Sequence, residues 1–97
     1  MEKKLFDDSD ILLRNEDEVM FTKVDGESVI MHLQTGQYFG LNSVSTDIWN
    51  HLEKNLTFPG LIDLLLSEYD VERKKCEKET KAIITALLKM KFISKKE

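Results

Sequence analysis

From Val19 onward, the hydrophobic and polar pattern falls into three short β-type runs, VMFTKV, ESVIMHL and QYFGL, separated by Asp25-Gly26 and by Gln34-Thr35-Gly36. Short runs rich in β-branched and aromatic residues between turn signals mark strands, and Asp-Gly between two such runs marks a type I′ hairpin turn, whose central residues both need positive φ. With Asp25-Gly26 as the turn, Val24 faces Glu27 and Phe21 faces Ile30. With Thr35-Gly36 as the second turn, Ile30 faces Leu41 and His32 faces Phe39. Phe21, Ile30, Phe39 and Leu41 then share one face of a three-stranded antiparallel sheet. Met20, Val29, Met31, Leu33 and Tyr38 share the other, which is more apolar than a solvated face requires.

After Leu41 the period changes. Asn42 and Ser43 are good N-cap residues, and Val44, Ile48 and Leu52 recur at spacing four beside Trp49, predicting a short helix to about Lys54. Leu41 stands where a hydrophobic staple packs back on the first turn. Asn55-Leu56-Thr57 breaks the pattern, Thr57 or Phe58 caps a second helix starting near Pro59, and Ile62, Leu65, Leu66 and Tyr69 form its apolar stripe. A third helix is predicted from about Glu72 to Lys91, with Cys76, Thr80, Ile83, Leu87 and Met90 on one stripe and Ile84 and Leu88 on its shoulder. That apolar arc is wider than a surface helix needs, which leaves the shoulder for a second contact. Residues 1–18 mix acidic groups with one apolar knot, Ile11-Leu12-Leu13, and read as a partly ordered N-terminal tail; residues 94–97 read as a C-terminal tail. The order β-β-β-α-α-α predicts an α+β fold, a three-stranded antiparallel sheet followed by three helices, in one domain over residues 19–93.

A chain of 97 residues with 41% apolar and 33% charged residues can bury one modest core. The net charge of −4 hides an asymmetry: residues 1–70 hold 5 basic and 14 acidic groups, residues 71–97 hold 9 basic and 4 acidic. The last quarter is therefore a local cationic surface. No apolar run approaches the length of a membrane span, and the start, MEKKLFDDSD, lacks the apolar block of a secretory signal, so a cytoplasmic protein with no membrane partner is expected. Cys76, His32 and His51 are too few and too scattered for a zinc site, and Cys76 reads as a small packed residue. No Gly-rich phosphate loop, nucleophile elbow or His-Glu metal signature occurs, and His51 lacks a nucleophile and an orienting carboxylate in the right arrangement with Ser43 or Ser45. No catalytic residue, metal or cofactor is expected.

Three helices and a small sheet also suit a winged helix, which raises nucleic acid as a partner. Arg73, Lys74, Lys75, Lys78, Lys81, Lys89 and Lys91 could meet phosphates, but Glu72, Glu77 and Glu79 interleave with them and pairs such as Glu77–Lys81 suit a solvated helix face. No nucleic acid is expected. The edge of the sheet offers another means. An edge strand carries unpaired N–H and C=O groups that an extended peptide, or a second copy of the chain, can satisfy. Gln37-Tyr38-Phe39-Gly40-Leu41 has no Lys or Pro to block this, and only a bulge at Gly40 would. The plainer alternative makes Tyr38 and Phe39 sheet-packing aromatics and Gly40 a bend before the helix.

The hairpin VDGESVIMHLQTGQYFGLN, the join and helix YFGLNSVSTDIWNHL, the second helix LIDLLLSEYDV and the closing ITALLKMKFI together resemble the PqqD-like family over about residues 19–93. These are the peptide-recognition domains of pathways that modify ribosomally made peptides. The resemblance implies a winged helix-turn-helix-like fold that binds the leader of a precursor peptide as an added strand beside the third strand, in a cleft against the third helix. Carried over, Gln37, Tyr38, Phe39, Gly40 and Leu41 would supply the pairing backbone. Lys74, Glu77, Lys81, Ile84 and Leu88 would supply the second wall, with the opposite shoulder, Ala82, Ala86 and Met90, as the alternative. Lys74 and Lys81 would favour an acidic leader, while Ile84 and Leu88 would receive its apolar residues. Tyr38-Phe39 before Gly40-Leu41-Asn42 is most similar to the discrete lasso-peptide recognition proteins, which work with a separate leader peptidase and a cyclase. The same fold serves other modifying enzymes, including radical-SAM ones. The implied partners are a precursor peptide and a leader peptidase or other modifying enzyme, with the protein a monomer or weak homodimer.

Overall fold

The two hairpin signals build the first sheet. In the computed structural model, which describes residues 5–25 and 27–96, β2 (Val19–Val24), β3 (Glu27–His32) and β4 (Tyr38–Leu41) form an antiparallel meander in that order. Val24 pairs with Glu27 and Phe21 with Ile30, as the Asp-Gly turn requires; Asp25 has φ 43°, while Gly26 lies outside the described residues. The second hairpin differs by two residues. Ile30 pairs with Phe39 and Ser28 with Leu41, because the turn spans Leu33 to Gly36 rather than two residues. Gly36 N–H donates to His32 O and His32 N–H to Gln37 O, both at 2.8 Å, and Gly36 at φ 77° supplies the left-handed step. A shift of two preserves faces. Ile30 and Leu41 are accordingly buried and Phe39 is half-buried against the core.

Asn42 ends β4 and caps α1 (Ser43–His51), its Oδ1 accepting from Ser45 N–H at 2.8 Å. A 3-10 turn, Leu52–Lys54, continues the helix, and Asn55 at φ 57° breaks it. Thr57 then caps α2 (Phe58–Glu68), with Pro59 in the first turn where its missing N–H is harmless. The third helix, α3 (Arg73–Lys89), ends in a Schellman motif: Lys91 takes φ 63°, Lys91 N–H donates to Leu88 O and Phe92 N–H to Leu87 O. That reversal drives Phe92 into the core, where it is fully buried between His32 and Phe39.

A second three-stranded sheet, absent from the sequence reading, closes the other side. The apolar knot is β1 (Ile11–Arg14), the centre of a sheet ordered β5-β1-β6, with β5 at Leu56–Thr57 and β6 at Ile93–Lys96. Leu12 pairs with Leu56 and Lys95 and is fully buried. Residues read as an N-terminal tail thus supply a core strand, and Phe6 packs on Phe58 with ring centroids 5.4 Å apart. Ser94 to Lys96, read as a C-terminal tail, are paired strand. Arg14 explains how a charged residue tolerates the strand end: its guanidinium lies 5.2 Å from the Trp49 ring and pairs with Glu16 and Glu53.

The core lies between the two sheets and the helices, and draws Ile30 and Leu41 from the first sheet, Leu12 and Ile93 from the second, and Ile48, Leu52, Leu61, Ile62, Leu65, Ile84 and Leu87 from the helices. Each such side chain contributes about 1.5–3 kcal/mol through burial. One buried polar link ties α1 to β3: Thr46 Oγ1 and Ser28 Oγ are 3.0 Å apart. Among the described residues, no helix is long and apolar enough to cross a membrane.

Candidate peptide-binding site

The phase of the β3–β4 ladder decides what β4 offers to its outer side. His32 N–H bonds to Gln37 O, so His32 and Gln37 form a bonded pair. In an antiparallel ladder bonded and non-bonded pairs alternate. Ile30–Phe39 and Ser28–Leu41 are then the bonded pairs, and at Tyr38 and Gly40 the N–H and C=O groups point away from β3. Pairing runs one to one through Val29–Gly40, so Gly40 makes no bulge. The edge carries four backbone groups free to pair with an added strand.

Side chains alternate with the same period. Phe39 and Leu41 point inward: Leu41 is 1% exposed, and Phe39 meets Phe92 edge-on at 6.4 Å. These two anchors hold the edge strand against the core. Tyr38 points outward, 72% exposed, on the face that also shows Met20 and Leu33. Gln37 precedes the strand and is exposed, its N–H held by Thr35 Oγ1 at 3.2 Å.

The two shoulders of α3 face different neighbours. On one side Glu77 pairs with Arg73 at 3.5 Å, not with Lys81, and Arg73 also reaches Asp63 of α2 at 3.1 Å. Leu88, on that side, lines an open hollow with Leu5, His32, Thr35 and Ile93. The start of this shoulder therefore turns toward α2, and its end, at Leu88, toward both the β3–β4 turn and β6. Lys74 and Lys81 are exposed beyond it. Ile84 is fully buried at the centre of the core stripe formed with Cys76, Thr80 and Leu87, so it is not a surface that can receive a guest. The expected wall of Lys74, Glu77, Lys81, Ile84 and Leu88 does not form one exposed face beside β4.

The opposite shoulder fits better. Lys75 and Glu79 border a pocket of about 100 Å³ with Val44, Leu65, Tyr69, Val71, Cys76 and Thr80. Val44 opens α1 three residues after the end of β4, which puts this side of α3 next to the strand's exit. Further along the same shoulder lie Ala82, Ala86 and Met90, with Ile83 and Met90 half-buried against the core. Val44 and Val71, 39% and 43% exposed, give the pocket an apolar rim that the sequence reading did not single out. The sequence placed Val44 on one stripe with Ile48 and Leu52, and in the structure those two are buried while Val44 stays at the surface.

The ionisable groups nearby have structural partners. The Tyr69 hydroxyl donates to Asp47, and that hydrogen bond, then burial and then the charge of Asp47 push the phenol pKa up to about 12. His51 bonds Glu68 at 2.7 Å between α1 and α2, and His32 Nδ1 accepts from Gln34 N–H at 3.3 Å beneath Phe92. Cys76 is buried beside Thr80. Among the described residues there is no group of three His, Cys, Asp or Glu placed to hold a metal.

Comparison with known proteins bears on the family and the fold. The family model for coenzyme PQQ synthesis protein D (PqqD) matches residues 27–93. The structure of TbiB1 in complex with the TbiA(beta) leader peptide is similar at a TM-score of 0.72 and 35% identity, covering 80% of this chain and 91% of that one. A lasso peptide synthetase B1 complexed with the leader peptide shares the fold at a TM-score of 0.73 and 24% identity, covering 86% of this chain and 96% of that one. No curated protein matches the chain.

Proposed function

The chain belongs to the PqqD family, and from that premise we propose that it is a non-catalytic recognition protein for the leader segment of a ribosomally made precursor peptide. The leader adds as a strand along β4, beside α3, and is delivered to a leader peptidase or other modifying enzyme, in lasso-peptide biosynthesis. The observation that carries this reading is the outward phase of Tyr38 and Gly40 on an edge with no lysine, proline or bulge. The likeness to TbiB1, a protein solved with a leader peptide, supports the choice of guest.

Residues 37–41 supply the first wall. The second is the shoulder of Lys75, Glu79, Ala82, Ala86 and Met90, supported by the pocket that joins Lys75 and Glu79 to Val44. That pocket takes one apolar side chain of the guest. Backbone pairing sets register, pockets set preference, and tethering raises the precursor's effective concentration at the partner enzyme. A guest strand of about six residues reaches micromolar to nanomolar affinity, about −8 to −12 kcal/mol.

The test is an NMR titration of the folded chain with the TbiA(beta) leader peptide, its scrambled version and a random DNA duplex. Amide shifts at residues 38–41 and along 75–90 with the leader alone are expected. Shifts with DNA alone would restore the winged-helix reading, and a concentration-dependent mass with shifts at 38–41 in the absence of peptide would assign the edge to self-pairing.

A further inference from the structure

The free chain does not explain why residue 40 is glycine. Its φ lies outside the left-handed region, unlike that of Gly36 at 77°, so the backbone does not demand it. Crowding does not demand it either, since a Cβ at Gly40 meets no heavy atom within 4 Å. Glycine within a strand gives up side-chain packing and loses more freedom on folding than any other residue. Its reason must come from outside the chain.

Gly40 sits on the outer face of the first sheet, two residues from exposed Tyr38 and directly across from half-buried Val29. It leaves a bare notch in a surface of Met20, Val29, Met31 and Tyr38, with Thr22 beyond Val29 in the same row. Resting on the reading of β4 as the pairing edge, we propose that Gly40 is a specificity determinant: the guest residue paired with it carries a large apolar or aromatic side chain that lies across the glycine onto Val29, beside Tyr38. The pleat dictates the placement. Residues directly opposite in neighbouring strands project from the same face, so the guest residue opposite Gly40 emerges beside the notch and the one opposite Phe39 points to α3. A ring laid over a strand glycine covers backbone that would otherwise stay wet. Any side chain at residue 40 fills that space first. A polar guest residue there meets no polar side chain on Val29 or Met31.

The experiment selects a phage-displayed library of peptides of about twelve residues, twice an ordinary strand length, on the wild-type protein. The selected peptides are then titrated against wild type, Gly40→Ala and Gly40→Val. Expected are peptides that shift the amides of 38–41 and share one large apolar or aromatic position, whose replacement by alanine weakens wild-type binding about tenfold. Gly40→Val should weaken the parent peptide by a similar factor and make the alanine replacement silent, the signature of direct coupling. Peptides that shift 38–41 yet bind Gly40→Val and Gly40→Ala as tightly as wild type would overturn this inference and leave strand addition standing. Selection of no binder, or shifts confined elsewhere, would overturn both. Valine suits an exposed strand, and Gly40→Ala supplies the milder variant should Gly40→Val unfold.

Discussion

Gly40→Pro separates the guest's hydrogen bonds from those of the fold. The Gly40 N–H points away from β3, so proline there removes no bond of the ladder that holds the sheet. Proline is tolerated on an edge strand with its nitrogen facing outward, and the preceding Phe39 already has the extended backbone that a following proline prefers. Stability should change by less than about 1 kcal/mol, because lower freedom in the unfolded chain offsets local strain. Binding should change far more. The guest carbonyl that met Gly40 N–H is left unpaired under the complex, worth about 1–3 kcal/mol, and the proline ring adds a clash. The expected loss is roughly 5- to 150-fold in Kd. Phe39→Pro is the control: its N–H faces Ile30 and its ring packs on Phe92, so it should lose folding stability instead. Calorimetric titration with a peptide that binds wild type, beside thermal unfolding, reads both quantities. A folded Gly40→Pro protein with wild-type affinity would refute the assigned ladder phase or the assigned edge.

Leu12→Ala should destabilise the chain by about 2–5 kcal/mol in urea titrations, since Leu12 is fully buried at the centre of the second sheet; a change under about 1 kcal/mol would mean the N-terminal strand is only docked. Asn42→Ala removes the cap on Ser45 N–H and should cost about 0.5–2 kcal/mol, while Asn42→Asp should retain most of it. The Tyr69 phenol is raised from 10.0 to about 12, so the folded state holds this proton more tightly than the unfolded one. Its contribution is present below about pH 10 and is lost as pH rises toward about 12. Tyr69→Phe should flatten that part of the stability profile, and a profile identical to wild type would count against the Asp47 bond.

Short-range signals carried the first sheet and the caps. Asp25-Gly26 fixed the β2–β3 register, and Asn42 and Thr57 sit at the N-caps where their side chains accept from Ser45 and Gly60 N–H. The β3–β4 register was misjudged by two residues because Gln34-Thr35-Gly36 fits both a two-residue turn and the longer one closed by Gly36 and His32. The second sheet was not legible, since β1, β5 and β6 hold four, two and four residues and pair across about forty to eighty positions. The helical wall failed for another reason. Periodicity gave an arc of apolar residues but not its centre, and the arc was centred too near Ile83. With sheet and helices packed as observed, the centre lies among Cys76, Thr80, Ile84 and Leu87, which buries Ile84 and leaves Ile83 and Met90 at the margin.

The stretch from Tyr38 to Asn42 does two jobs that a two-residue period keeps apart. Phe39 and Leu41 spend both their side chains and their backbone bonds on the fold, the one against Phe92, the other in the core, and both in the ladder with β3. Tyr38 and Gly40 spend neither. Asn42 then turns the chain into α1, where Thr46 is tied to Ser28 directly behind Leu41. The edge is therefore anchored to the core in the free chain, and a guest need not supply the ordering of β4, only its own. A free edge of this kind attracts any extended chain. Selectivity must then come from what lies on either side of the added strand: the α3 shoulder and pocket on the inner face, and the notch at Gly40 on the outer.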